Sequence, residues 1–575
     1  MTDFELVKLP FTQREIQAWS HSRSRADNWP VVYTLSSEKE IYVGETVSAV
    51  SRLSQHLGSP SKQSLSRVEV IFNEKFNKSV CLDLESKLIQ LFSADGFHRV
   101  LNANVGITNA DYYNRDEYRE TFNELFQILV DEGLLSRPVP EIINSNLFKF
   151  SPFKALTHEQ ASALSACIER MILDLKSGSE TQLVIQGDPG TGKTIVAIYL
   201  IKLLRDIAHT SREELSDQDS MFSEFFTPGN AELFANLRMG LVVPQQALRK
   251  TLQNVFSQIP GLDKGMVLTP FEVGKSQDDF DLLVVDEAHR LGQRANQSSA
   301  AQNKDFTSIN IRLYGHDDLQ KTQLDWIATK SRHQLLLLDT GQSIKPADLP
   351  FSLTSELVAR SKSNDSHFKL ASQMRVMGGE EYLDFVKVIF SNDPTAPGDF
   401  KGYDLRFYED FAVMRDDVLH LDAEYGLCRL LAGFAWPWTT KHDKSAEAFD
   451  IEIEGLRLRW NQSERDWVNS SESQLEVGSI HTIQGYDLNY AGVIIGNDIG
   501  YDPVANQIFF RREQYFDIKG RENNKKLGID YSDDDILQWV LNIYRVLLTR
   551  GIRGTFVYVC DPELRKLLKT RFVRN

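Results

Sequence analysis

The hydrophobic pattern changes character near residue 149. Before it, apolar runs are short and alternate with polar positions, as half-buried strands do. Residues 29–35 and 41–45 have strand composition and flank a polar turn at 36–40, which predicts a hairpin. Residues 47–57 follow with helical spacing. Val50, Leu53 and Leu57 share one side, and Arg52 and His56 lie four apart on a neighbouring one. Residues 67–72 alternate as a third strand, and residues 82–92 read as an amphipathic helix carrying Glu85. The predicted order is β-β-α-β-α. A further amphipathic helix over 118–135 leads to Pro138, Pro140 and the polar run Asn144-Ser145-Asn146, which marks a boundary.

Beyond that boundary the apolar runs are continuous. Residues 182–185, 239–243, 281–285, 335–338, 491–496 and 554–559 read as buried strands of an α/β sheet. The polar, acidic stretch 205–234 reads as a surface insertion. An irregular middle after residue 376 holds Trp436, Trp438, Trp460 and Trp467. Core burial is the default for these rings, and base stacking the alternative.

Composition narrows the class. The length of 575 residues exceeds what one core supports. Cys81, Cys167, Cys428 and Cys560 are far apart with no CxxC pair, which argues against a disulfide framework or zinc ribbon. No apolar run reaches transmembrane length, and Met1-Thr2-Asp3-Phe4-Glu5 lacks a signal-peptide layout, so a cytoplasmic protein without membrane contact is expected. A net charge of −16 means that any nucleic-acid site is a local basic groove on an acidic body.

The strand at 182–185 runs into Gly187-Asp188-Pro189-Gly190-Thr191-Gly192-Lys193-Thr194, and residues 195–204 continue as a helix. Strand, G-x-x-x-x-G-K-T loop and helix are what a phosphate-binding P-loop requires. The glycines let backbone N–H groups close around a phosphate, and the helix N-terminus adds positive dipole. Lys193 is then placed to reach the β- and γ-phosphates of ATP, and Thr194 to ligate Mg2+. The apolar strand at 281–285 delivers Asp286 and Glu287 at its tip. Asp286 suits Mg2+ held through water, and Glu287 suits orienting and deprotonating the attacking water. The strand at 335–338 leads to Gln342, a polar group suited to sensing the γ-phosphate.

In the first segment, VVY, then YVG nine residues later, then R-L-x-Q-H, a helical L-E-x-x-L-I and Leu101-Asn102 resemble a GIY-YIG nuclease domain over about residues 28–105. Singly, Tyr33 and Tyr42 read as sheet aromatics, and Arg52, His56 and Glu85 as solvated helix faces. The resemblance gives them roles. Glu85 holds one Mg2+ at the scissile phosphate. Tyr33 or Tyr42 positions or deprotonates the attacking water, with His56 as proton acceptor. Arg52 faces the charge that builds on the phosphorane, and Asn102 closes the motif, with Asn104 as its competitor. Val31-Val32 replaces Gly-Ile in the first half-motif.

The rest of the chain resembles the Schlafen group 3-like DNA/RNA helicase domain, a superfamily 1 relative. Gln160 resembles an adenine-reading glutamine, though Thr157 with Gln160 also forms a capping box. L-x-x-Q-x-R ends at Arg375, S-x-H-x-x-Q-G-x-D spans 479–487 with Gly485 and Asp487, and Arg550 follows Tyr544-Arg545. The resemblance implies ATP between two lobes, with Arg375 and Arg550 reaching the γ-phosphate and Arg550 as arginine finger. The fold class expected is α/β: a small β-β-α-β-α GIY-YIG domain at 1–105, a helical extension at 106–148, and two RecA-like parallel-sheet domains at 149–345 and 346–575. The function expected is an ATP-dependent DNA helicase or translocase with a metal-dependent endonuclease, with defence against foreign DNA as a setting by analogy. DNA is favoured over RNA. An ATP-gated nuclease that does not translocate, a nuclease acting on RNA and a scaffold that no longer cuts stay open.

Overall fold

Alternating apolar residues build a mainly antiparallel sheet in the first part of the chain, and continuous ones build two mainly parallel sheets in the second. The computed structural model describes residues 4–22, 27–102, 112–154, 156–209, 222–294, 297, 299–339, 344–373, 376–391, 400–463, 467–483 and 486–572. The chain divides into two units. One comprises Met1–Ser179, Thr194–Arg238 and Leu252–Val267; the other comprises Glu180–Lys193, Met239–Thr251 and Leu268–Asn575.

The first unit holds β1 (Glu5–Pro10), β2 (Asp27–Ser36), β3 (Glu40–Ser48), β4 (Arg67–Phe72) and β5 (Arg99–Val100), in the order β1-β4-β2-β3-β5. The predicted β-β-α-β-α order is present as β2, β3, helix Ala49–Leu57, β4 and helix Lys78–Asp95. Two elements precede it that the pattern did not predict, β1 and helix Gln13–Ser22. β1 is an edge strand on β4 and ends at Pro10, which has no N–H for a further ladder bond. Alternation along β2 separates two cores. Val31, Tyr33 and Leu35 pack with Trp19, Leu53 and Val70 on one face. Val32 packs on the other with Leu84 and Leu88, and with Phe122 and Leu125 of helix Arg115–Asp131. Helix Lys78–Asp95 is longer than predicted because Asn77 accepts from Val80 N and Gly96, at φ 70°, closes its end. Residues 222–234 are no surface insertion. Phe222, Phe225, Phe226 and Phe234 are buried, and the Phe222 ring lies 5.9 Å from Tyr199.

The second unit holds two sheets. The first contains β6 (Thr181–Gly187), β7 (Met239–Val242), β8 (Val267–Leu268), β9 (Phe280–Val285), β10 (Ser331–Leu338) and β11 (His367–Leu370), in the order β11-β6-β10-β9-β7-β8. β11, β6, β10, β9 and β7 pair in parallel. The second contains β12 (Asp404–Tyr408), β13 (Cys428–Ala432), β14 (Ile451–Ile453), β15 (Leu456–Trp460), β16 (Glu476–Gly478), β17 (Leu488–Ile495) and β20 (Gly551–Val559), in the order β12-β20-β17-β13-β16-β15-β14. A hairpin of β18 (Ile499–Asp502) and β19 (Gln507–Phe510) stands apart. The stretch expected to be irregular therefore contains β12 to β16. Trp460 and Trp467 are buried, while Trp436 and Trp438 are only partly so. The unit is mixed α/β with two mainly parallel sheets; in the second, β14 pairs antiparallel with β15.

Two polar ties join the regions of these two sheets. The Thr251 and Tyr486 hydroxyls are 2.6 Å apart, and Lys387 pairs with Asp188 at 2.7 Å. Within the first sheet, Gln373 Nε2, just beyond β11, donates to the Pro189 carbonyl at 2.7 Å. Among the described residues no helix is long and apolar enough to cross a membrane.

Gly44 faces Tyr33 across the β2–β3 ladder, and a Cβ there would meet the Tyr33 ring at 2.4 Å. Gly44→Ala is expected to destabilise the first unit by about 1–3 kcal/mol by displacing that ring. Urea denaturation of the full chain measures it, and an unchanged transition rules out the close approach.

Candidate functional site

Parallel pairing brings three strand ends to one edge. Leu338 of β10 is level with Gln186 of β6, and Leu336 with Val285 of β9, so Gly187, Asp339 and Asp286 emerge together. After Gly187 the loop Asp188-Pro189-Gly190-Thr191-Gly192 leads into helix Lys193–His209, with Thr194 its second residue. Gly190 and Gly192 adopt φ of 86° and 79°, a region that side chains disfavour. Lys193 is buried. Its ammonium donates to the carbonyls of Gly187 at 2.7 Å and Asp188 at 3.0 Å, and lies 3.8 Å from the Asp339 carboxylate. The lysine is thus held at a helix N-terminus, where N–H groups and dipole favour a phosphate.

Asp286 is fully buried and accepts from Glu287 N at 3.0 Å. Glu287 stands at φ 52°, and its carboxylate lies 3.0 Å from His289 Nε2 and 3.2 Å from Arg290 Nε. Burial pushes this carboxyl up, but His289, Arg290 and Lys193 outweigh burial and hold it well below the usual carboxylate range. Asp339 N donates to His289 Nδ1 at 3.2 Å, so a neutral His289 carries its proton on Nε2, toward Glu287. The edge therefore presents an ionised carboxylate beside a lysine, and Asp286 offers the hard oxygen donors that Mg2+ takes.

In the second lobe Asp487 and Arg550 are neighbours. Leu488 N donates to the Arg550 carbonyl at 3.0 Å, and the buried Arg550 guanidinium donates to the Tyr486 carbonyl at 3.3 Å. Gln373 of the L-x-x-Q run reaches the phosphate loop at Pro189. Gln342, Arg375, Gln484, Gly485 and Asn104 lie outside the described residues. In the first unit Gln160 is buried in a capping box, its Oε1 accepting from Thr157 N at 3.0 Å and its own N donating to Thr157 Oγ1 at 3.2 Å.

The first unit gathers a second cluster. Tyr33 is fully buried, and its hydroxyl lies 2.7 Å from His56 Nε2. The Tyr42 ring centroid is 5.1 Å from His56 and 6.4 Å from Tyr33. Arg52 Nη1 donates to Gln55 at 2.6 Å, and its charge is felt at both tyrosines. Glu85 is buried, and its charge is felt at both phenols. Burial, with Tyr42 and Glu85, pushes Tyr33 well above the ordinary phenol value; burial and Glu85 push Tyr42 up to about 12. Asn102 stands apart from this chemistry. It clamps β3, accepting from Val43 N at 3.0 Å and donating to the Val43 carbonyl at 2.8 Å.

Lys62 completes the cluster, and no motif or spacing pointed to it. Its ammonium sits 2.9 Å from His56 Nδ1 and 3.5 Å above the Tyr42 ring. An ammonium only donates, so Nδ1 accepts and the His56 proton is on Nε2, directed at Tyr33. His56 is then a donor to Tyr33 and not the proton acceptor expected. Two other residues were missed, His289 and Asp339. Asp339 is the first polar residue after four leucines, a position that could have drawn attention to it before Gln342.

Residues 180–561 match the family described as Schlafen group 3, DNA/RNA helicase domain. A relative from Saccharomyces cerevisiae, named Uncharacterized protein YPL245W, is 29% identical over 414 residues, covering 67% of this chain and 83% of its own. The crystal structure of Pif1 helicase from Bacteroides, in complex with ADP-AlF3 and ssDNA, covers 71% of this chain and 94% of its own at 11% identity and a TM-score of 0.24.

Burial, with Lys62 and Arg52 beside it, lowers His56 from 6.5 to about 3. The folded value lies below the unfolded one, so unfolding takes up a proton in that window. The resulting penalty is absent above pH 6.5 and grows as the pH falls toward 3. His56→Gln is expected to flatten the acid side of the stability profile, followed by urea denaturation across that range. A slope equal to wild type would remove the buried neutral imidazole.

Proposed function

The chain belongs to the Schlafen group 3, DNA/RNA helicase domain family, and from that premise we propose an ATP-driven superfamily 1-type motor on nucleic acid, tethered to a metal-dependent nuclease of GIY-YIG type. The observation that carries the motor is the convergence of the 187–194 loop, Asp286, Glu287 and Asp339 at one sheet edge. ATP fits this edge: its phosphates suit the glycine loop and Lys193, and Mg2+ suits Asp286. Glu287, ionised and oriented by His289 and Arg290, is the group that takes the proton of the attacking water. Arg550 supplies positive charge from the second lobe. The tie of Lys387 to the loop couples nucleotide state to lobe position. The same tie suits a second reading, an ATP-gated switch that closes without stepping.

The nuclease reading rests on the cluster of Tyr33, Tyr42, Arg52, His56 and Glu85. Glu85 would hold Mg2+ through an oxygen donor, and the ion would polarise the scissile phosphate. Tyr33 is fully enclosed, so Tyr42 is the tyrosine that meets the attacking water, under the Lys62 ammonium. Arg52 answers the charge on the phosphorane. The covalent tether keeps the nuclease at high local concentration on the strand that the motor holds. DNA is the proposed substrate, and RNA is the competing outcome.

Two substitutions test the two halves on single- and double-stranded DNA and RNA, with and without ATP. Lys193→Ala is expected to lower ATP hydrolysis at least about 100-fold. Glu85→Ala is expected to lower Mg2+-dependent cutting on the same scale and to leave ATP hydrolysis intact. Intact hydrolysis in Lys193→Ala overturns the motor, and wild-type cutting by Glu85→Ala overturns the nuclease. Directional displacement of a labelled strand separates a motor from a switch.

A further inference from the structure

In an α/β sheet, ligands bind outside the carboxyl ends of the parallel strands. Both lobes have a cavity there in addition to the nucleotide edge. In the first lobe a polar cavity of about 290 Å³ opens where β7, β8 and β9 end, lined by Pro244, Arg249, Thr269, Arg290, Gln323 and Lys345. In the second lobe a cavity of about 350 Å³ opens where β13, β15 and β16 end. Those three strands are neighbours and parallel. Phe434, Trp436, Trp438, Trp460, His481 and Phe516 line it. Lys519 lines both cavities, so polar groove and aromatic slot meet at one cation.

We propose that the second-lobe cavity is a nucleobase pocket, which takes one base out of the strand running along the first-lobe groove. This rests on the motor reading above and adds a subsite to it. Its lining is the argument. The Phe434 ring lies 5.3 Å from His481 and 6.1 Å from Trp460, and Trp436 meets Trp460 edge-on at 6.4 Å. These are flat walls set at angles, the form that receives one planar ring and not a flexible aliphatic chain. Phe516 N donates to the Phe434 carbonyl at 2.8 Å, which fixes the outer wall, and the Phe516 ring is 39% exposed. Asn461, Ser479 and Asp517 line the same cavity and offer hydrogen bonds to a base edge. Lys441 stands 5.5 Å over the Trp438 ring, and Lys519 stands at the junction, so two exposed cations flank the opening where backbone phosphates pass. On a chain of net charge −16, cations beside stacked aromatics favour a nucleic acid over an aromatic side chain of a partner protein.

The test uses the full chain and a short fluorescein-labelled oligodeoxythymidylate, its oligouridylate counterpart, and the same strands with one abasic position placed in turn along them. For wild type, one abasic position is expected to weaken binding about ten-fold, the scale of one stacked base, with neighbouring positions nearly neutral. Trp438→Ala and the more exposed Phe516→Ala are expected to bind intact strands about ten-fold more weakly and to be indifferent to the same abasic position. The two strand types report whether the base is read on DNA, RNA or both. Wild type that binds with salt dependence yet ignores every abasic position overturns the pocket and leaves the motor standing. Both variants still sensing the abasic position also overturn the pocket. Wild type that binds no strand overturns the motor, and the pocket with it.

Discussion

Strands that pair in parallel end together, and that constraint organises the second unit. β6, β9 and β10 carry different residues at their tips, yet their register delivers a glycine loop, an adjacent pair of acids and Asp339 to a single edge. Short contacts follow from that convergence, among them the bond from Asp339 N to His289 that sets the imidazole against Glu287. The same geometry places both outer cavities on strand ends. The first unit works by the opposite rule. Its antiparallel hairpin sets Tyr33 and Tyr42 within the strands, on a buried face, so chemistry there is framed by the helix Ala49–Leu57 above the sheet.

Buried cations recur in both units. Lys62 and Lys193 are each less than a tenth exposed, and each donates to neutral acceptors, an imidazole nitrogen in one case and two carbonyls in the other. Enclosing a charge is costly unless every donor is matched. An ammonium kept near neutral acceptors is ready to exchange them for a phosphate oxygen, a stronger partner.

The most legible parts of the chain were those where local signals agreed. A continuous apolar run, a glycine pattern and a helical repeat marked β6 and its loop, and a run of apolar residues ahead of two acids marked β9. β12 to β16 were not legible because strands of three to five residues are too short to establish a period. The phenylalanines at 222, 225 and 226 stand at helical spacing, but one turn among polar and acidic residues is too short to establish a period, so their burial and that of Phe234 were not legible. Lys62 sits in a short polar turn, where a lysine ordinarily faces water. The role of His56 depends on that lysine, so its place as a donor to Tyr33 had no sign in the sequence. Asn102 read as a motif residue, and its place in the structure is that of a backbone clamp on β3.

The ties between the two sheets of the second unit have one more implication. Both described ties join polar groups, one a pair of hydroxyls and one an ion pair, while the larger apolar clusters of the two sheets are separate but for Ile344, which packs in the second sheet's cluster. Releasing those ties exchanges protein partners for water. Heat capacity follows exposed apolar area, so parting the sheets carries a smaller heat-capacity change than melting either one does. The balance between tied and released arrangements should then drift only weakly with temperature, and the composition of the solvent governs it more than warmth or cold.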